Sequence, residues 1–289
     1  MSDSWFSNAV APDGVKEDGC DPQEAEALKA FLRKQITTEQ AAERITLPTE
    51  TSDDPGEHLC NLWGLFHDAL IELPESQDTI VTLLQAIQNR PAPDLAGKPR
   101  TYALGDESKK PWRDLPGFGP CWSDNLFWYY QSQWRDASSE YSRPEKLASV
   151  ANIAAAEARL LVAGVVDTSV QGYERIADTL EEEITAGREV EISAVKEWMM
   201  IAGARLREGA EKGLQHPKLG SGKEYAAAVE AGTAHGALHG KRVLWQGEGG
   251  ITKDRWHFWR QRLEELQRDE SLTEGLRSKA KEAREAMTD

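Results

Sequence analysis

"LCNLWGLFHDALIELPESQDTIVTLLQAI" occupies residues 59–87. Leu59, Leu62, Trp63, Phe66, Leu70 and Leu73 recur at steps of three and four, the spacing that lays side chains along one face of a helix. Pro74 interrupts the run, and Ile80, Leu83, Leu84 and Ile87 take it up again. An antiparallel pair of helices is the expectation.

The same period extends in both directions. Upstream, Asp21-Pro22-Gln23-Glu24 sets a capping acid, a proline at the first helical position and a reciprocal Glu at the third, so a helix should run from there to about Ile36. Thr37 and Thr38 can cap a second, short helix that carries Ala41, Ala42 and Ile45 and ends before Pro48, leaving the acidic TETSDDPGE stretch as a loop. Downstream, Leu147, Val150, Ala154 and Leu161 mark an apolar helix that ends at Gly164. Val195, Trp198, Ala202 and Leu206 form one stripe, and Trp256, Trp259, Leu263 and Leu266 form another. Leu272, Leu276, Ala280, Ala283 and Met287 form the last, with Ser271 and Glu274 as its capping pair. Alternating strand runs and Asn-Gly hairpin turns are absent, so the class is all-α, a bundle-like domain of roughly ten helices. No linker of falling hydrophobicity separates them, and the expectation is a flexible N-terminal arm over 1–20 followed by one helical domain over 21–289.

Charge and composition narrow the function classes. The 34 Lys and Arg face 49 Asp and Glu, a formal charge of -15, which works against attraction to nucleic acid or anionic lipid. The excess is concentrated at the start, where residues 1–60 hold 13 acids and 5 bases. Cys20, Cys60 and Cys121 lie far apart in sequence without a CxxC pair, a pattern of neither a disulfide framework nor a zinc site. With no basic leader and no apolar run of about 18 residues, a cytoplasmic protein with no membrane and no nucleic-acid partner is expected. GSGKE at 220–224 mimics the end of a phosphate loop, but Pro217 stands at the first glycine and Glu224 replaces the hydroxyl residue. His235 and His239 are four apart, yet the HExxH glutamate is missing and Gly236 and Gly240 weaken the helix, so no metal and no cofactor are expected.

One region breaks the helical rhythm. Residues 91–120 contain six prolines and four glycines, a connection far longer than the usual 4 to 6 residues or so. It leads into "WRDLPGFGPCWSDNLFWYYQSQW", residues 112–134, which holds eight of the chain's 22 aromatic side chains. Trp112, Phe118 and Trp122 straddle Pro116, Gly117, Gly119 and Pro120, and Trp128 follows on the next helix. Two readings stay open: aromatic anchors that staple a loop to the core, or the wall of a pocket closed by a lid.

The order of "TTEQAAERI", "LWGLFHDALIELPESQDTIVTLLQAI", "WRDLPGFG", "NIAAAEARLLVAGVVD", "AVKEWMMIAGARL" and "ITKDRWHFWRQRLEEL" resembles the fungal family catalogued as domain of unknown function 3632. The likeness runs from about residue 28 to 289. It implies a helical intracellular protein, with members found beside genes of specialised metabolism, and no activity that can be inherited. Glu157 departs from the family, which tends to carry an aromatic or aliphatic residue before the ARL triplet.

On this basis the candidate acids and bases are His67, Asp114 and Glu157. His67 is either a histidine at the core's edge or a proton carrier, and Glu157, on an apolar helix, is either ion-paired or open to a cavity. The candidate binding residues are Trp63, Trp112, Arg113, Phe118, Trp122, Trp128, Asn152 and Arg159. The leading expectation is a small-molecule-binding protein, a cofactor-independent isomerase or cyclase acting on an aromatic or polycyclic substrate by acid-base catalysis. The alternative is a non-enzymatic helical module that binds a protein partner or a second copy of itself.

Overall fold

The computed structural model describes residues 2–99, 101–105, 109–126, 143–183, 187–231 and 242–287. The fold is all-α, with twelve α-helices and no strand among the described residues. Where the sequence suggests one domain, the chain divides into two compact units, 1–127 and 128–289. No helix of the described residues is long and apolar enough to cross a membrane.

The first unit contains α1 (Asp3–Val10), α2 (Pro22–Leu32), α3 (Thr38–Thr51), α4 (Pro55–Glu72), α5 (Gln77–Gln88) and α6 (Phe118–Asn125). Instead of a free arm, the N-terminal residues form α1 against α2. Phe6 is buried, Trp5 Nε1 donates to Glu72 Oε2 at 2.6 Å, and Asp3 pairs with Lys29 and Arg33. The capping box at Asp21 forms as expected, with Glu24 Oε2 accepting from the Asp21 amide. Helix α2 stops at Leu32, short of Ile36, because Lys34 takes a left-handed conformation (φ 59°) and Gln35 N–H returns to Ala30 O.

Helix α3 does not end before Pro48; it runs through the proline to Thr51. A proline there deprives the Arg44 carbonyl of its helical donor. Gln23 Nε2 supplies a replacement donor at 3.0 Å. Helix α6 likewise starts inside the expected loop. Its Pro120 falls in the first turn, where the missing N–H has no helical partner to lose.

The second unit contains α7 (Arg143–Val162), α8 (Ser169–Glu181), α9 (Arg188–Lys212), α10 (Gly222–Glu230), α11 (Lys253–Arg268) and α12 (Glu274–Ala286). Its core is built from the expected stripes: Val195, Trp198, Ala202 and Leu206 of α9 meet Trp259 and Leu263 of α11 and Ala280 and Ala283 of α12. The cap of α12 is Thr273 rather than Ser271, whose hydroxyl turns back to Asp269.

Candidate functional site

As far as residue 126, the aromatic segment packs as core. On α4, Trp63, Phe66 and His67 fall at i, i+3 and i+4 and face Phe118 and Trp122, which lie one turn apart on α6. The His67 ring meets Phe118 edge-on at 4.7 Å and Trp122 at 5.1 Å, and Trp63 meets Phe118 at 5.3 Å. Trp63, His67, Trp112, Leu115, Phe118 and Trp122 all have 3% or less of their surface exposed. The staple reading therefore describes this cluster better than an open wall.

Polar contacts complete the staple. Trp63 Nε1 donates to Pro116 O at 2.9 Å, and Trp112 Nε1 donates to Glu50 Oε1 at 3.0 Å, an oxygen also held by Arg90 at 3.1 Å. The turn between them is strained: Trp112 (φ 58°) and Leu115 (φ 41°) are left-handed without being glycine, at a cost of about 1 to 2 kcal/mol each. Burial of their side chains offsets it. The earlier half of the long connection is anchored too, which its few apolar residues do not announce. Lys98 Nζ donates to Glu50 O and Ser52 O, Thr101 Oγ1 donates to Asp54 Oδ1 at 2.6 Å, and Leu104 is buried.

Of the proposed acids and bases, His67 and Asp114 belong to the first unit and Glu157 to the second. His67 is enclosed by the rings, and burial pushes its pKa down to about 3 against the opposing hydrogen bond at the Phe118 backbone. A base with that pKa stays neutral near pH 7 and is poorly matched to proton transfer there. Asp114 and Arg113 are exposed; the Asp114 carboxylate accepts from Lys110 N–H at 2.7 Å, and the Arg113 carbonyl accepts from Gln88 Nε2. Both serve the turn. Asn152, Glu157 and Arg159 belong to α7 in the second unit. Glu157 is buried, its carbonyl accepting from Thr168 Oγ1 at 2.7 Å, and Arg159 Nη1 donates to Ala155 O. Trp128, His235 and His239 lie outside the described residues.

The second unit holds a different kind of centre. Arg255, in the first turn of α11, is fully buried, and its guanidinium grips Glu181 at the end of α8 with Nε to Oε1 at 2.6 Å and Nη2 to Oε2 at 2.7 Å. Nη1 donates to Leu219 O and Gly250 O, and Nη2 also to Gly220 O. Trp259 Nε1 adds a bond to Glu181 at 2.6 Å. All five guanidinium donors are used, which offsets the desolvation of the buried charge. Beside it Arg242 pairs with Asp178 and donates through Nη1 to Lys218 O at 2.6 Å. Together the two arginines hold the carbonyls of two glycine-rich loops, 213–221 and 242–252.

Between those loops lies a hollow of ≈ 580 Å³, within the range of small-molecule sites. Its polar lining comes from Gln215, Ser221, Lys223, Glu224, Gln246 and Glu248. Gly250, beside it, is left-handed at φ 77°, a conformation that favours glycine, and a Cβ on Gly249 would displace the Glu224 carboxylate. The GSGKE stretch forms one wall and is no anion cradle. Glu224 Oε2 accepts from Ser221 N–H at 2.9 Å, Ser221 Oγ accepts from Glu224 N–H, and Gly222 N–H is bonded to Trp245 O. These amides are engaged within the protein.

The centre does leave a signal in the sequence. Arg255 stands one turn before Trp259 on the stripe that continues to Leu263, and Glu181 stands four residues after Ala177 on the buried face of α8. A charge in register with an apolar stripe is the sign that marked Glu157, and it marks these two residues equally.

A family model described as "Protein of unknown function (DUF3632)" matches residues 63–263, from within α4 to within α11. The match covers well over half of the chain, and the protein belongs to that family. Neither the curated proteins nor the solved structures contain a significant match.

Proposed function

We propose that the protein is a small-molecule-binding helical protein whose binding site is the hollow between loops 213–221 and 242–252, and that its ligand is a small, polar molecule. The observation that carries this reading is the double arginine clamp: buried guanidiniums fix the carbonyls of Lys218, Leu219, Gly220 and Gly250, so the loops that line the hollow are rigid before any ligand arrives. The lining favours hydroxylated or zwitterionic ligands over an aromatic or polycyclic one. Two carboxamides can donate and accept, Lys223 offers an ammonium group, and Glu248 a carboxylate. The proposal is one of binding, with no reaction assigned.

The test uses the full chain and five probes, one per chemistry: myo-inositol, D-glucose, L-arginine, spermidine and citrate. Saturation-transfer NMR followed by calorimetry should find saturable binding of a hydroxylated or zwitterionic probe. Ala227→Trp, which fills the hollow from an exposed position on α10, should abolish it while leaving the melting curve in place. Failure of every probe, or equal binding by the Ala227→Trp protein, would count against the proposal.

A further inference from the structure

Helices α4 and α6 meet beside the aromatic cluster at a pair of thiols. Cys60 and Cys121, 61 residues apart in the chain, place their sulfurs 3.9 Å from one another, with Cys121 Sγ–H donating to Cys60 Sγ. Both are half-buried and therefore within reach of a small oxidant, whereas Cys20 is buried. The neighbouring residues Trp122 and Trp63 are locked in the ring cluster, so the backbones that carry the two thiols are held in place. A disulfide requires the sulfurs to close to about 2.05 Å, a movement within the reach of side-chain rotation.

We infer that Cys60 and Cys121 form an oxidation site at which a peroxide produces an intrachain disulfide. The contact with Cys60, together with burial, holds the Cys121 thiol above its ordinary range, so Cys60 is the attacking thiol and Cys121 the resolving one. The Cys60 thiolate attacks one peroxide oxygen, the O–O bond breaks and hydroxide leaves, taking up the proton that Cys60 released, to give water and a sulfenic acid on Cys60. Cys121 then attacks that sulfur. The S–S bond forms, the S–O bond breaks, and the departing hydroxide takes the Cys121 proton to leave as a second water. Two thiols supply two electrons, and one peroxide becomes two waters.

The product would tie α6 to α4 and close a loop that contains the whole irregular connection. Closing so long a loop restricts the unfolded chain and raises the melting temperature of the first unit. Cys20 serves as an internal control, since burial pushes its thiol up to about 12 and leaves little thiolate to react.

The experiment treats the full-length protein with hydrogen peroxide, blocks remaining thiols by alkylation and maps peptides without reduction. Expected are the loss of two hydrogens, one crosslinked peptide pair containing Cys60 and Cys121, an alkylated Cys20, and reversal by dithiothreitol. In Cys121→Ser the sulfenic acid on Cys60 has no thiol to resolve it, so dimedone should label Cys60. Full alkylation of Cys60 and Cys121 after a peroxide dose that oxidises the same protein in urea would overturn the inference. So would sulfinic or sulfonic acid on either residue without a crosslink. The wild-type map decides the matter even if the serine variant fails to fold.

Discussion

Both units tie an irregular stretch of chain to their helices, and they do it with opposite chemistry. In the first unit the connection to α6 is held mainly by rings: Trp112, Leu115, Phe118 and Trp122 are inserted, and two indole N–H groups fasten the turn. In the second unit two loops are held by buried guanidiniums that reach backbone carbonyls. Apolar insertion fills the space it closes. A clamp on carbonyls fixes loops from behind and leaves their outer faces free, and the hollow of the second unit lies beside glycines and charges. An aromatic cluster is conspicuous in composition but here works as packing, and a clamped loop pair is inconspicuous yet presents the accessible polar groups.

If this contrast is right, the largest single effect should come from the clamp. Arg255→Met leaves the Glu181 carboxylate buried beside an apolar chain and releases the carbonyls of Leu219, Gly220 and Gly250. Breaking one partner of such a pair typically costs about 3 to 5 kcal/mol. Urea denaturation should show that loss, and a change under about 1 kcal/mol would mean that the second unit does not depend on its clamp. In the first unit, Trp63→Phe keeps an aromatic ring but removes the donor to Pro116 O, and the expected loss is smaller, about 1 to 3 kcal/mol, because packing there carries most of the stability. An equal or larger loss than that of Arg255→Met would reverse the comparison.

The fold was legible wherever a single periodic stripe determined an element. Leu59 to Leu73, Val195 to Leu206 and Trp256 to Leu266 fall on α4, α9 and α11 with their apolar faces buried. Errors arose where a side chain from elsewhere in the chain satisfied a backbone group. Gln23 donates to the Arg44 carbonyl that Pro48 leaves without a helical donor, and Lys98 and Thr101 anchor a stretch with few apolar residues. Such bonds couple distant positions and leave no local period. The candidate site was less legible for the same reason. Trp63, His67, Phe118 and Trp122 do come together, but whether clustered rings enclose a cavity or fill it depends on packing that composition does not express. The Cys60–Cys121 contact spans 61 residues, and no spacing rule detects it.

Acid should also act on the first unit through two histidines on α4 that are shifted in opposite directions. His67 has its pKa lowered from 6.5 to about 3 by burial, so the unfolded chain takes up a proton near pH 6.5 that the folded unit refuses. Its contribution is complete above 6.5 and is lost as pH falls toward 3, by at most about 1.4 kcal/mol per pH unit. His58 is raised by its hydrogen bond to Glu24 at 2.9 Å, so its contribution is complete below 6.5 and disappears as pH rises through its folded value. Urea midpoints measured between pH 4 and 8 should carry the His67 fall on the acid side, opposed in part by Asp68, whose carboxyl is pushed up to about 6 by burial. The fall should be shallower for His67→Gln relative to its own value at pH 7, and His58→Gln should remove the decline above pH 6.5. An unchanged acid limb in His67→Gln would show that the ring is hydrated in a way its enclosure does not suggest.

The smallest expected effect tests whether burial, and not the device itself, makes the clamp strong. Gln23 Nε2 to Arg44 O is also a side-chain donor on a backbone carbonyl, at 3.0 Å, but it lies at an exposed position. Water can take the place of the amide there, so Gln23→Ala should cost less than about 1 kcal/mol, against several for Arg255. The contribution should depend on Pro48, since the carbonyl needs an outside donor only because residue 48 has no N–H to give it. In Pro48→Ala the helix supplies its own bond, and the same Gln23→Ala change should then cost close to nothing. A double-mutant cycle on the two positions therefore predicts a coupling nearly equal to the whole effect of Gln23→Ala in the wild type. If Gln23→Ala costs the same with and without the proline, Gln23 stabilises α2 or α3 by another route, and the parallel between this exposed bond and the buried arginine clamp fails.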